Sequence, residues 1–274
     1  MITANLSPTA YVENNCITNN FGLGNKLFKI AATLGLAEKF NTAAVFPDLS
    51  HKNHKYFKET IFRNLEDNNG DKSFIKKDFL WYRSGYTDIP FSEGLNLKGD
   101  FQSWKYFSNI ESKIHKTFKI SKKVDNEINK SKYAYLLKNN LKTVAIHVRR
   151  GDYTNHTDQY KMVDVEYIKK ARAFFDNSHI FVIFSDDIEW CKKNINFDNS
   201  DVFVENKTEI FDLYFMSMMN HNIISNSTFS WWGAYLNSNV GKITISPSEW
   251  FGPTLKKSGY YTDEDLLMKE WKQI

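Results

Sequence analysis

The stretch Thr143-Val-Ala-Ile-His-Val148 is apolar and β-branched up to the point where it runs into Arg149-Arg-Gly-Asp152. A run that is apolar throughout, instead of alternating, predicts a strand covered on both faces and hence a parallel sheet with helices on either side. The pattern recurs downstream. Ile180-Phe-Val-Ile-Phe184 leads into Ser185, Asp186 and Asp187, and Asn222-Ile-Ile224 leads into Ser225, Asn226, Ser227 and Thr228. Helical sequence follows each, over about Val165 to Phe175, Glu189 to Asn194 and Phe229 to Leu236. A further run, Lys242-Ile-Thr-Ile245, stops at Ser246 and Pro247. Strands alternating with helices make the C-terminal half a doubly wound α/β domain.

Working outward, the N-terminal half holds one more strand, turn and helix. Tyr11 to Thr18 reads as a first strand, Phe21-Gly-Leu-Gly-Asn25 as a glycine turn, and the spacing of Leu27, Ile30, Ala31, Leu34 and Ala37 as a helix. Between Asn64 and Gly99 the sequence predicts loops and short helices, with Asn68-Asn69-Gly70 as a turn and Pro90 as a break. The lysine-rich segment from Lys113 to Lys132 reads as exposed helix, and Asn139 and Asn140 mark a boundary. Two domains are expected, 1–138 on the acceptor side and 139–274 on the donor side, with the last helix free to pack back on the first.

Composition bounds the function. The chain has 274 residues, 42% of them hydrophobic and 25% charged, which excludes disordered and fibrous classes. Thirty-six Lys+Arg against 32 Asp+Glu leave a formal charge of +4 with no basic arm, too little to imply nucleic acid. Two cysteines, Cys16 and Cys191, cannot form a disulfide framework, and no zinc-ligand spacing occurs; a reducing, cytoplasmic setting is expected. No run of signal-peptide or membrane-spanning type is present in the sequence.

The chemistry belongs where polar clusters leave the strands, because ligands of open parallel sheets bind beyond the carboxyl ends. His147-Val-Arg-Arg-Gly-Asp152 puts two guanidiniums at one such end, a fork suited to a diphosphate, unless one Arg simply pairs with Asp152. Ser225-Asn226-Ser227-Thr228 offers hydroxyls and free N–H groups at a helix N-terminus, where an anion is best held, although an ordinary N-cap uses the same residues. Gly22 and Gly24 let backbone approach a ligand or merely make a turn. Asp186 and Asp187 suit a ribose or guanine edge, or a helix cap. Trp231 and Trp232 suit a sugar face or the core.

Together these segments resemble glycosyltransferase family 11, the α-1,2-fucosyltransferases. The resemblance rests on Gly22-Leu-Gly-Asn25, His147-Val-Arg-Arg-Gly-Asp-Tyr153, Phe184-Ser-Asp-Asp-Ile-Glu-Trp-Cys191, Asp212-Leu-Tyr-Phe-Met-Ser217 and Ser225-Asn-Ser-Thr-Phe-Ser-Trp-Trp-Gly-Ala234. The family's turn usually reads Gly-Gly-Leu-Gly-Asn-Gln-Met; Phe21, Lys26 and Leu27 depart from it here. The resemblance implies a GT-B fold of two Rossmann-like domains, the C-terminal one holding GDP-β-L-fucose. It implies inverting transfer of fucose to the 2-hydroxyl of a galactose in an oligosaccharide or glycolipid. On this view Arg149 meets the leaving diphosphate, Asp152 acts as base or orients Arg149, and His147, Arg150, Asp186, Asp187, Asn226, Ser227, Thr228, Gly22, Gly24 and Asn25 attend the donor. No cofactor and no metal are expected, because the arginines and the helix end supply the cationic compensation. The adjacent Asp186-Asp187 only superficially resembles a metal-binding Asp-x-Asp. Members of the family in animals carry an N-terminal membrane anchor; this sequence resembles the microbial or viral form, with contact between its basic surface and an anionic membrane as a further expectation. Another GDP-sugar transferase, a non-catalytic GDP- or sugar-binding module, and a phosphoprotein or nucleic-acid binder using Arg149 and Arg150 are the alternatives.

Overall fold

The computed structural model describes residues 1–6, 10–13, 16–19, 22–138 and 140–274, with the side chains of 10–13, 16–19 and 53 outside that description. Phe21 and Asn139 therefore lie outside the described residues. The chain divides into two compact units, Met1–Ser121 with Tyr260–Leu266, and Lys122–Gly259 with Leu267–Ile274.

In the first unit, β1 (Ile2–Ala4) precedes an antiparallel pair, β2 (Ala10–Glu13) and β3 (Cys16–Asn19). The first strand thus lies upstream of the expected one, and Tyr11 and Thr18 face each other across two strands. α1 (Leu23–Lys39) buries Leu27, Ile30, Ala31 and Ala37 of the expected stripe and Phe28 and Ala32 beside them, whereas Leu34 is only partly buried. After a short helix α2 (Lys55–Glu59) come β4 (Lys77–Trp81) and β5 (Leu95–Gly99), in the segment expected to be loops and short helices. These strands pair in parallel, in the order β1-β5-β4. α3 (Glu111–Thr117) completes this unit.

Close packing of α1 depends on Gly35. A Cβ there would stand 1.9 Å from the Tyr106 carbonyl oxygen, so only hydrogen fits.

The second unit opens with α4 (Lys122–Lys130), whose Val124 and Ile128 are buried. This helix packs against α7 (Glu209–Ser217), which moves the boundary upstream of the expected 138/139. Between them run β6 (Lys142–Val148), α5 (Val165–Arg172), β7 (His179–Ser185), α6 (Ile188–Asn194) and β8 (Val202–Phe203). After α7 follow β9 (His221–Ile223), α8 (Thr228–Tyr235), β10 (Thr244–Ser246), α9 (Pro253–Lys257) and β11 (Lys272–Gln273). The segment that returns to the first unit is Tyr260–Leu266, not the last helix. There Ser84 Oγ donates to the Thr262 carbonyl at 2.8 Å, and Asp265 accepts from the Tyr86 N–H at 2.6 Å.

The six strands form one sheet in the order β11-β10-β9-β6-β7-β8, every pairing parallel. Connections run outward from β6 to β8, then jump back past β6 to start again at β9, so the order reverses between β6 and β9. Alternate residues of β6 serve opposite faces. Val144, Ile146 and Val148 join Ile168, Ala171, Cys191 and Ile195 in one apolar cluster. On the other side the His147 ring lies 5.4 Å from that of Phe229 in α8. Trp231 and Trp232, both 0% exposed, are core residues, their rings 5.2 Å apart and edge-on.

Replacing Gly35 by Ala is expected to destabilise the protein by about 3 kcal/mol, since helix and neighbouring backbone must part. A urea midpoint unchanged from that of the unsubstituted protein would contradict this packing.

Candidate functional site at the strand-order reversal

Because β6 is buried on both faces, charged side chains are confined to its ends, and at the carboxyl end Arg149 emerges. Its guanidinium bridges two carboxylates: Nη2 is 2.6 Å from Asp152 Oδ1 and Nη1 is 2.8 Å from Asp186 Oδ2. Burial works against the charge of Arg149, and the carboxylates of Asp186 and Asp152 more than offset it, so its pKa lies above the usual value. The Tyr153 ring lies beneath it, 5.4 Å away, and stacks in turn on Tyr160 at 4.1 Å. Asp186 also accepts from the Arg150 N–H at 2.9 Å. This carboxylate sits so close to the following turn that a Cβ on Gly151 would stand 2.4 Å from it.

Arg150 turns to a different partner. Its Nε donates to Asp187 at 3.0 Å and its guanidinium covers the Trp190 ring at 4.0 Å. Asp187 is the N-cap of α6, accepting from the Trp190 N–H. The two aspartates, expected to meet ribose or guanine or to cap a helix, each hold one of the two arginines, and Asp187 also caps α6.

Across the reversal, His147 Nδ1 lies 2.9 Å from Ser225 Oγ, joining the ends of β6 and β9. The imidazole is buried, and burial first, with the Arg149 charge second, pulls its pKa down to about 3, so it is neutral at ordinary pH. Asn226 is fully buried, donating from Nδ2 to the Trp250 carbonyl at 2.8 Å, while its own carbonyl accepts from Tyr153 Oη. Ser227 is the N-cap of α8 in extended conformation, and its side chain makes no capping bond. Thr228 opens the helix, whose first turn carries no acidic residue. An uncapped, acid-free helix N-terminus beside a guanidinium suits an anion of two or more charges.

Gly22, Gly24 and Asn25 belong to the first unit. Gly22 is the N-cap of α1, whereas Gly24 and Asn25 are already helical, so the expected glycine turn is the first turn of the helix. Asn25 Oδ1 accepts from Gln102 at 3.1 Å.

One residue of the site carries no role in the sequence reading. Asp212, in the first turn of α7, has a buried Oδ1 with no hydrogen-bond partner, and burial pushes its pKa up to about 7 against the pull of Lys207. In a parallel sheet the N-termini of the crossover helices lie at the carboxyl edge, so α7 presents Asp212 on the same edge as Arg149 and Ser227. An acid in an otherwise apolar helical stretch, Ile210-Phe-Asp-Leu-Tyr-Phe215, is the signal that could have singled it out. Among the described residues no cluster of three or more His, Cys, Asp or Glu could hold a metal, and no helix is long and apolar enough to cross a membrane.

A parallel sheet whose order reverses, carrying a guanidinium and a helix N-terminus at its carboxyl edge, is the architecture of one domain of a GT-B glycosyltransferase. Residues 3–274 match the sequence profile of glycosyl transferase family 11, and the chain belongs to that family. It is 41% identical over 123 residues to an Escherichia coli protein named alpha-1,2-colitosyltransferase, covering 40% of this chain and 41% of that one. It is 26% identical over 266 residues to galactoside 2-alpha-L-fucosyltransferase SEC1 of Bos taurus, covering 92% of this chain and 71% of that one. The match thus spans less than half of the E. coli relative. Among solved structures, the NodZ alpha-1,6-fucosyltransferase of Bradyrhizobium, soaked with GDP-fucose, is similar with a TM-score of 0.55 at 12% identity, over 86% of this chain and 92% of that one. This last likeness is one of fold.

Because His147 has its pKa lowered in the folded state, its contribution to stability is complete above about pH 6.5 and is lost as pH falls toward about 3. Between pH 6.5 and 4.5 the loss is expected to be on the order of 2 kcal/mol. Urea unfolding of a His147→Gln variant should show a flatter acid limb; an identical limb would place the acid-sensitive group elsewhere.

Proposed function

We propose that the protein transfers L-fucose from GDP-β-L-fucose to the 2-hydroxyl of a galactose in a glycan, with inversion and without a divalent metal. The observation that carries this is Arg149, held at the order reversal beside the N-terminus of α8. An inverting displacement forms a bond from the acceptor oxygen to C1 while the bond from C1 to the β-phosphate oxygen breaks. Negative charge grows on the departing diphosphate, and a fixed guanidinium with helix N–H groups stabilises that charge more in the transition state than before it. Ser227 and Thr228 meet the phosphates from the other side. His147, neutral and hydrogen-bonded to Ser225, offers Nε2 to the nucleotide without repelling Arg149.

Asp212 suits the guanine base. Its partnerless carboxylate oxygen can accept from N1–H or the 2-amino group, the donors that distinguish guanine from adenine. Relatives named as galactoside fucosyltransferases support both the sugar and the acceptor. Transfer of another deoxy sugar in the same linkage is the second reading, favoured by the relative named as an alpha-1,2-colitosyltransferase. A cytoplasmic setting is part of the same proposal and accords with Cys191, a buried free thiol. Contact with an anionic membrane belongs to it too, and sedimentation with acidic vesicles at physiological salt tests that part; protein left in the supernatant would remove it.

Release of GDP from GDP-fucose, with lactose or N-acetyllactosamine as acceptor and EDTA present, is the test of the main proposal. Acceptor-dependent release with a 2-fucosylated galactose as product is expected, and Arg149→Ala should reduce it ~10²-fold or more. Absence of release despite GDP binding would overturn fucosyl transfer, and near-normal turnover of the variant would overturn the role of Arg149.

A further inference from the structure

Two carboxylates hold Arg149, and they are not equivalent. Asp186 is the enclosed one, its side chain 28% exposed. It is fixed by the Arg150 N–H and pressed against Gly151, where a Cβ would stand 2.4 Å from its Oδ2. Asp152 is 63% exposed and lies on the short turn Gly151–Asn155, three residues beyond its partner. The bond from Arg149 Nη1 to Asp186 is thus built into the sheet edge, whereas the bond from Nη2 to Asp152 stands open to water and to competing anions.

We propose that Arg149 is an exchange switch: the donor diphosphate takes Nη2 away from Asp152, Asp186 keeps Nη1, and the released Asp152 carboxylate then accepts the proton of the acceptor hydroxyl. This rests on the fucosyl transfer proposed above. A diphosphate carries more charge than one carboxylate and offers Nη2 a charge-assisted bond of the same kind, so the exchange is favourable. Desolvation by the bound nucleotide strengthens it further. In the step itself, the acceptor oxygen bonds to C1 and its proton moves to Asp152. The C1–O bond breaks, and the electron pair leaves with GDP. While Asp152 is paired with Arg149 its Oδ1 is engaged by the guanidinium, so that oxygen accepts a proton only once the donor has displaced it. Asp186 is a positioning residue, because it acts through Arg149 and touches no substrate.

The two aspartates consequently separate in experiment. GDP binding is measured by calorimetry, and donor-saturated turnover by GDP release, on Asp152→Asn and Asp186→Asn, with thermal melts of both. Asp152→Asn should bind GDP about 2- to 5-fold more tightly, because a charged competitor for Nη2 is gone, while turnover falls ~10²-fold or more. Asp186→Asn should weaken GDP binding at least ~5-fold and raise KM for the donor, with kcat less affected. Asp152→Glu, which keeps a carboxylate on a longer stem, should recover part of the turnover lost in Asp152→Asn. Weaker GDP binding in Asp152→Asn, or turnover retained there, would overturn the switch. So would Asp186→Asn leaving GDP binding unchanged. Were the wild-type protein to bind GDP yet transfer no fucose, the functional proposal would fail by itself, while the GDP affinities would still decide the exchange.

Discussion

The site depends on one constraint, the burial of β6 on both faces in the middle of an all-parallel sheet. A strand with no solvent face must be apolar along its length, so charge can enter only at its ends. At the carboxyl end of β6 that requirement coincides with the reversal of strand order, where the crossovers on either side diverge and leave a crevice. Arg149 therefore reaches solvent at the carboxyl edge of the sheet, where the strand order reverses. His147, the only polar side chain of the strand's buried part besides Thr143, is accommodated because it is uncharged and bonded to Ser225.

A guanidinium at such a mouth is useful only if it points in one direction. Surface ion pairs contribute little to stability, and Arg149 is a third exposed, so its two carboxylates matter more for orientation than for folding. The same division appears in Arg150, clamped by Asp187 and laid on Trp190. Adjacent arginines thus take different tasks. One is fixed into the structure and steadies the turn, and the other keeps an exchangeable partner.

Legibility in the sequence followed burial. β6, β7, α1 and α8 stand out because continuous apolar runs and a helical stripe leave few readings. β4 was missed because it is a sheet edge: Lys77, Asp78 and Leu80 are exposed, and Lys77-Asp-Phe-Leu-Trp81 shows neither a continuous apolar run nor a regular alternation. β8 and β11, two residues each, are too short to carry a pattern. The antiparallel pairing of Tyr11 with Thr18 was overlooked although the sequence carries its signal, since Asn14-Asn15 between the two short runs are turn-type residues. At the site, residue types were visible but partnerships were not. That Asp186 serves Arg149 and Asp187 serves Arg150 follows from the side-by-side placement of β6 and β7, which the sequence does not record.

Asp212 shows the limit most clearly, because what marks it is a missing partner. A buried carboxyl oxygen without a hydrogen-bond partner is a cost to folding of about 1–3 kcal/mol, and Asn226 Oδ1, just beyond β9, shares that condition. Nearby amides show that the fold can satisfy buried polar groups where it needs to: Asn237 bonds to Asn222 at 2.7 Å and to the Met219 carbonyl at 2.8 Å. An apolar residue at position 212 would pack on the same helix at no such cost. On the proposed reading a guanine edge supplies the absent donor and favours the ionised carboxyl, drawing its pKa below about 7 and releasing a proton as nucleotide binds. On that same reading the unpaired oxygen and the choice of base have a single cause: the carboxylate accepts from guanine, and adenine offers no matching donor there.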